Sequence, residues 1–325
     1  MLEIILLLIL THLVADFPLQ TNKLNKMKKR REFSSQLRSM QERTIRKRIG
    51  GIALHVLIHF SCTVLVVGLY ALFYLEGNFD YTALLQLAGW SAVLHFGIDY
   101  TKEHFHDNKK IKPVVFYLLD QGLHLLTLII LAKFFGFLEI QVLDIEKLFN
   151  YLISEESLNI SFVSRIAMIG IILILNTYFS GYLIGMLVTK GENKSGDTKK
   201  IYTLYYDVDS IGSIENYSKG DLIEKLKSLN MKSEGMTVEE TISEVEYKDT
   251  EIKYGKYIGY LERLIIMVLV AVNAISAIAF VIGIKALARF KQFEDRDFAE
   301  YYLIGTMISI LMGLLSGWLL LRVIS

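Results

Sequence analysis

Seven apolar runs, each long enough to cross a hydrocarbon core as a helix, leave this chain few folds to adopt. They fall at about 2–20, 51–75, 83–100, 113–138, 161–188, 257–284 and 301–323. A spanning helix needs about 20 mostly apolar residues at roughly 1.5 Å rise each. Hydrocarbon offers backbone N–H and C=O groups no partner, so only helices and closed barrels span it. The runs lack the short-period alternation of barrel strands. The expected fold class is an all-α integral membrane helical bundle of about seven transmembrane helices, with a small α/β cytoplasmic insertion. Apolar residues make up 53% of the chain against 21% charged, which excludes a disordered protein, and the lone Cys62 excludes a disulfide scaffold. The first run has no basic leader and no small-residue cleavage site, so it reads as a retained helix.

Lysine and arginine set the expected orientation. Residues 21–50 carry eleven basic and two acidic residues, and 101–112 carry four more basic ones. The segment 76–82 has none, and 139–160 has one lysine against five acids. The reading is a prokaryotic plasma or inner membrane protein, N-terminus outside and C-terminus cytoplasmic. The exception is 285–300, where Lys285, Arg289, Lys291 and Arg296 fall on the outer side.

Four stretches follow: a four-helix membrane core bearing the candidate site (1–138), an outer loop with the fifth helix (139–188), a cytoplasmic insertion (189–256) and a C-terminal helix pair (257–325). The insertion is polar, with eleven basic and fourteen acidic residues over 190–256. IYTLYYDV reads as a strand, SKGDLIEKLKSL as a helix capped by Ser218, and TVEETISEVE as a helix capped by Thr237 with Glu240 closing a capping box. It suits docking of a cytoplasmic protein partner. Its net acidity and lack of a basic face argue against nucleic acid. The basic 21–50 loop suits anionic lipid headgroups.

The chemistry lies in the first four spans. They carry His12 with Asp16, His55 with His59, His95 with Asp99, and Asp120 with His124. Every pair is spaced i, i+4, which places both side chains on one helix face. With boundaries at 20/21, 50/51, 100/101 and 112/113, all four pairs lie within about 18 Å of one membrane face. Antiparallel neighbours then bring eight polar groups into one layer. A lone ionised aspartate in a membrane costs about 2.5–3.5 kcal/mol, so three must be partnered. One His–Asp pair is ordinarily a hydrogen bond or a proton relay. Four at a common depth point to a divalent metal, zinc first, manganese or iron otherwise, as one or two ions. The expected ligands are His12, Asp16, His55, His59, His95, Asp99, Asp120 and His124. Asp99 or Asp120 would serve as a general base. Lys102 is an interfacial anchor or a phosphate contact, Gln20 and Gln121 are candidate supporting donors, and Cys62 is a packing residue.

The blocks HLVADFPLQ, LHVLIHF, HFGIDYTK and LLDQGLHL resemble those of an uncharacterised prokaryotic multi-pass membrane family. YGKYIGYLERLIIMVLV, IGIKALARF and DRDFAEYYLIGTMIS resemble the C-terminal half of its longer members. The HxxxD pairs are more distantly similar to zinc-dependent phospholipases C and membrane metal-dependent hydrolases. That likeness implies metal-assisted hydrolysis, and the expected substrate is a phosphoester in a lipid or lipid-linked molecule. A transporter or channel for divalent cations or protons would use the same residues, and a non-catalytic sensor or assembly subunit is the third reading.

Overall fold

The computed structural model describes residues 2–28, 38–75, 79–105, 112–138, 160–188, 201–206, 215–218, 236–241 and 249–324. The chain divides into two compact units, one formed by Met1–Arg30, Ile45–Thr189 and Lys256–Ser325, the other by Arg31–Thr44 and Lys190–Gly255.

The helices are α1 Leu2–Asp16, α2 Asn22–Lys28, α3 Arg38–Tyr74, α4 Tyr81–Phe105, α5 Pro113–Phe134, α6 Phe162–Ile174, α7 Ser180–Val188, α8 Asp249–Ala271, α9 Ile278–Ala288 and α10 Arg296–Ile324. A π-turn, Leu175–Phe179, joins α6 to α7. Local sequence explains several starts. Pro113, whose missing N–H costs nothing in a first turn, opens α5, and Ser161 caps α6 by accepting from Ser164 N at 3.2 Å. Outward faces are apolar and exposed, as at Leu57, Leu65, Leu72, Leu119, Ile130 and Leu311. Such faces suit lipid contact.

Among the described residues, four helices are long and apolar enough to cross a membrane: Ile45–Tyr74, Pro113–Phe134, Phe162–Val188 and Phe298–Ile324. That is fewer than the seven expected. α1 has 15 residues, about 22 Å of helix against a core of about 30 Å. α4 is longer, but Gln86, His95 and Asp99 dilute its hydropathy.

The expected span 257–284 is two helices that reverse at Asn273, whose φ of 57° lies in the left-handed region. Asn273 N donates to the carbonyl of Val270 and Ala274 N to that of Leu269, closing α8. α9 then runs back along α8, with Lys285 Nζ 2.5 Å from Glu262 Oε2. α10 runs parallel to α8: Ser309 meets Arg263, Gly313 meets Ile266, and Gly317 meets Val270. The last two glycines form a small-xxx-small packing face. A Cβ at Gly317 would lie 2.6 Å from Val270 Cβ and 2.9 Å from the Met267 carbonyl oxygen, so only glycine permits this approach.

Among the described residues the C-terminal region is therefore three helices rather than a pair. Arg165 Nη1 donates to the carbonyl of Ile324 at 3.1 Å, and Leu6, Ile160, Leu320 and Val323 pack together. The starts of α1 and α6 and the end of α10 thus share one end of the unit. The α9–α10 connection lies at the other end, where Gly305 packs on Val188.

In the second unit three antiparallel strands, β1 Ile201–Tyr206, β2 Glu215–Ser218 and β3 Met236–Thr241, form a sheet of order β2-β1-β3. β1 agrees with the expected strand. β3 corrects the expectation of a helix from Thr237: its β-branched residues pair with β1, Ile201 facing Thr241 and Leu204 facing Val238. Ser218 ends β2, and the rest of the expected helix at 219–229 lies outside the described residues, as do 139–159.

Candidate metal centre

Four helices of alternating direction bring the i, i+4 pairs to one level. α1 supplies His12 and Asp16, α3 His55 and His59, α4 His95 and Asp99, and α5 Asp120 and His124. All eight side chains are buried, His55 completely. The imidazoles form a packed group: ring centroids lie 4.0 Å apart for His59 and His95, 4.1 Å for His95 and His124, and 5.1 Å for His12 and His59.

Two subsets can hold a metal ion. In the first, single ligand atoms of Asp16, His55, His59 and His95 lie within 4.8 Å of one another. Asp16 Oδ1 is 3.0 Å from both His55 Nε2 and His59 Nε2 and 3.8 Å from His95 Nε2; the His55 and His59 Nε2 atoms are 3.3 Å apart. A tetrahedral zinc site with ligand distances of about 2.0–2.2 Å has edges of about 3.3–3.6 Å. The observed spacings bracket that edge. The second subset is His95, Asp99 and His124, with His95 Nε2 3.8 Å from Asp99 Oδ2.

The imidazole orientation is fixed by the chain itself. His124 Nδ1 donates to the carbonyl of Asp120 at 2.8 Å, which leaves the lone pair on Nε2. That Nε2 is buried without a hydrogen-bond partner among the described residues, as are His12 Nε2 and His95 Nε2. Buried imidazole nitrogens of this kind fit a metal ion better than a purely hydrogen-bonded core. His12 and Asp120 stand beside the two subsets. His12 Nε2 is 3.5 Å from Asp16 Oδ2, and Asp120 Oδ1 is 3.6 Å from His124 Nδ1.

Two ammonium groups complete the cluster. Lys102 Nζ lies 2.6 Å from Asp120 Oδ2, so its side chain turns inward rather than to an interface. Lys28 Nζ lies 2.5 Å from Asp99 Oδ2, on a side chain only 8% exposed. Sequence reasoning placed Lys28 in the topogenic basic loop and missed it. The turn after α1 carries the chain into α2, capped by Thr21, whose Oγ1 accepts from Leu24 N at 3.3 Å. α2 lies directly on α3 at Gly51, where a Cβ would meet Met27 Cβ at 2.9 Å. This contact aims Lys28 into the cluster. The Pro18 turn followed by seven helical residues was the available signal.

The amides also take part. Gln121 Nε2 donates to Asp16 Oδ2 at 3.0 Å. Gln20, with its amide oriented to satisfy both neighbours, donates to the Asp16 carbonyl at 2.7 Å and accepts from Lys28 Nζ at 3.1 Å. Cys62 is partly exposed and belongs to neither subset. Arg48, two turns before His55, is buried with Nη2 donating to the Tyr100 carbonyl at 2.8 Å and its guanidinium over the Tyr100 ring. Beyond the histidines, toward Leu2, the bundle is apolar: Ile4, Leu8, Val67, Leu84, Leu87, Leu128 and Ala132 form one buried cluster. The polar layer is therefore sealed on that side and bordered by Lys28, Lys102 and Arg48 on the other.

Residues 4–153 match the family model described as a protein of unknown function (DUF3307). That span takes in all eight cluster residues and Lys28, Arg48 and Lys102. Neither a curated protein nor a solved structure matches the chain, so the likeness to phospholipases C finds no support there.

Proposed function

We propose that this chain is a membrane-embedded, metal-dependent hydrolase acting on a phosphoester of a lipid or lipid-linked substrate at the basic, cytoplasmic face. The observation that supports the reading is the Asp16, His55, His59 and His95 set, whose ligand atoms lie within 4.8 Å of one another, beside two further carboxylates that one ion does not require. Zinc suits this nitrogen-rich set best. A bound divalent ion supplies Lewis acidity and a nucleophile at neutral pH.

The chain's own groups supply the rest. In this reading Asp99 or Asp120 accepts a proton, and Lys102 offsets phosphate charge. Gln121 and the carbonyl of Asp120 hold Asp16 and His124 in fixed orientations. The apolar cluster beyond the histidines keeps water from the far side and argues against a permeation path through these helices. With the basic end cytoplasmic, Lys285, Arg289, Lys291 and Arg296 fall on that face and both termini lie outside.

The test is hydrolysis of a phosphoester-lipid panel by detergent-purified protein with added Zn²⁺. Turnover abolished by chelation and by His59→Ala supports the proposal. Zn²⁺ flux into proteoliposomes without any hydrolysis would overturn it in favour of transport.

A further inference from the structure

The inner face of α3 carries an arginine that the candidate metal centre does not use. Arg48, Ile52, His55 and His59 follow one another at steps of three or four residues, and all are buried. They therefore share the stripe that faces the bundle. Arg46 and Lys47 beside them are exposed, as basic residues at the end of a membrane helix ordinarily are. Arg48 alone of the three turns inward.

Its guanidinium is held in place, but its charge is not met. Nη2 donates to the Tyr100 carbonyl at 2.8 Å, and the group lies 4.7 Å from the centroid of the Tyr100 ring. Nε is buried and donates to nothing among the described residues. The two neighbouring ammonium groups differ, since Lys28 pairs with Asp99 and Lys102 with Asp120. No carboxylate is paired in this way with Arg48 among the described residues. A guanidinium stays protonated in any protein setting, and burying it without a counter-ion is costly. Arg48 is only 6% exposed. A buried donor left free on a planar, fixed cation fits an anion that presents oxygens to it.

The level of the residue indicates which anion. Arg48 lies three residues inside the apolar span Ile45–Tyr74, about 4.5 Å along the helix from its basic end. That is where headgroups meet hydrocarbon. Ile45 and Ile49, on either side of Arg48, are exposed, so acyl chains can lie against α3 while a headgroup reaches the guanidinium. We propose that Arg48, oriented by Tyr100, is a seat for the phosphate of one membrane phospholipid. The seat does not depend on a metal in the histidine cluster. It also differs from attraction of anionic lipid to the basic 21–50 segment, which is shared among many charges. Free phosphate offers the same chemistry.

Thermal melts of the full chain in non-ionic detergent measure the binding, because a ligand held only by the folded chain raises the melting temperature by mass action. The probes are short-chain phosphatidylglycerol, the matching diacylglycerol without phosphate, and inorganic phosphate. Phosphatidylglycerol should give a saturating rise and diacylglycerol none. A rise with the lipid alone identifies a headgroup as the ligand, and an equal rise with inorganic phosphate identifies the free anion.

Arg48→Lys keeps a charge but loses the planar fork and the stacking on Tyr100. It should raise the half-saturating concentration by about tenfold, the ratio of one charge-assisted hydrogen bond. Arg48→Met should raise it further, and Arg48→Lys carries the test alone if Arg48→Met does not fold. Arg46→Gln, at an exposed position, should leave the response unchanged. No rise with either phosphate probe, an equal rise with diacylglycerol, or a response kept in the Arg48 variants overturns the seat. Loss of the response in Arg46→Gln as well marks attraction to diffuse charge and overturns it too.

Discussion

Adjacent glycines on α3 offer a clean test of how the centre is covered. Gly50 and Gly51 both become alanine with the same gain in helix propensity, about 0.5–1 kcal/mol. Their surroundings differ. Nothing lies within 4 Å of a Cβ added at Gly50, whereas one at Gly51 would meet Met27 Cβ at 2.9 Å, Met27 C at 3.1 Å and Lys28 N at 3.2 Å. Two of those atoms are backbone, so no rotamer change relieves the clash. Ordinary carbon contacts are about 3.5–4.0 Å, so α2 must move outward by about 0.5–1 Å. Overpacking of this kind costs about 1–3 kcal/mol. Because the propensity gain cancels between the two variants, that range is the expected difference in their stabilities. At about 2–4 °C per kcal/mol it corresponds to roughly 2–12 °C in melting temperature. The displacement also draws Lys28 away from Asp99. Thermal melts in detergent therefore should place Gly50→Ala at or above the unaltered chain and Gly51→Ala below it. Equal melting temperatures for the two variants would refute the docking of α2 on α3.

Other outcomes follow from the same structure. Gly317→Leu should lower the melting temperature sharply, because its Cβ alone would lie 2.6 Å from Val270 Cβ; an unchanged melt would contradict the α8–α10 packing. Topology reporters fused after Ile324 and at Asn78 should read on the same, external side, and one after Arg31 on the cytoplasmic side. A cytoplasmic reading after Ile324 would contradict the reversal at Asn273. Chelation should lower thermal stability by about 4 kcal/mol if the free ion stood at about 1,000 times its Kd, since a ligand bound only to the folded chain stabilises by mass action. Metal should be lost as pH falls, because bound imidazoles must be neutral and protons compete for the same lone pairs. Metal retention that is flat down to acid pH would argue for a ligand set without histidine.

The eight cluster residues were legible in the sequence because i, i+4 spacing fixes a helix face and polar residues stand out in apolar runs. Their common level followed from counting residues to the basic boundaries. Lys28 was not legible. Its role depends on a short helix folding back onto Gly51, a tertiary contact that charge patterning reads only as a basic loop. The reversal at Asn273 was hidden because hydropathy stays high on both sides of it, so a window average sees one span where the backbone makes two. Only the polar Asn273 and the basic residues stranded at 285–300 hinted at the turn. Thr237–Glu246 offered a capping box, yet its β-branched residues pair with Ile201–Tyr206. Local capping preference lost there to strand pairing.

Whether Asp16, His55, His59 and His95 hold a divalent ion is open to direct measurement. Elemental analysis of the detergent-purified chain beside a His55→Ala, His59→Ala double variant tests it most directly. About one zinc per chain is expected in the first and none in the second, with the variant still helical by circular dichroism. Metal content that is the same in both proteins, or absent from the unaltered chain after incubation with Zn²⁺, would contradict it.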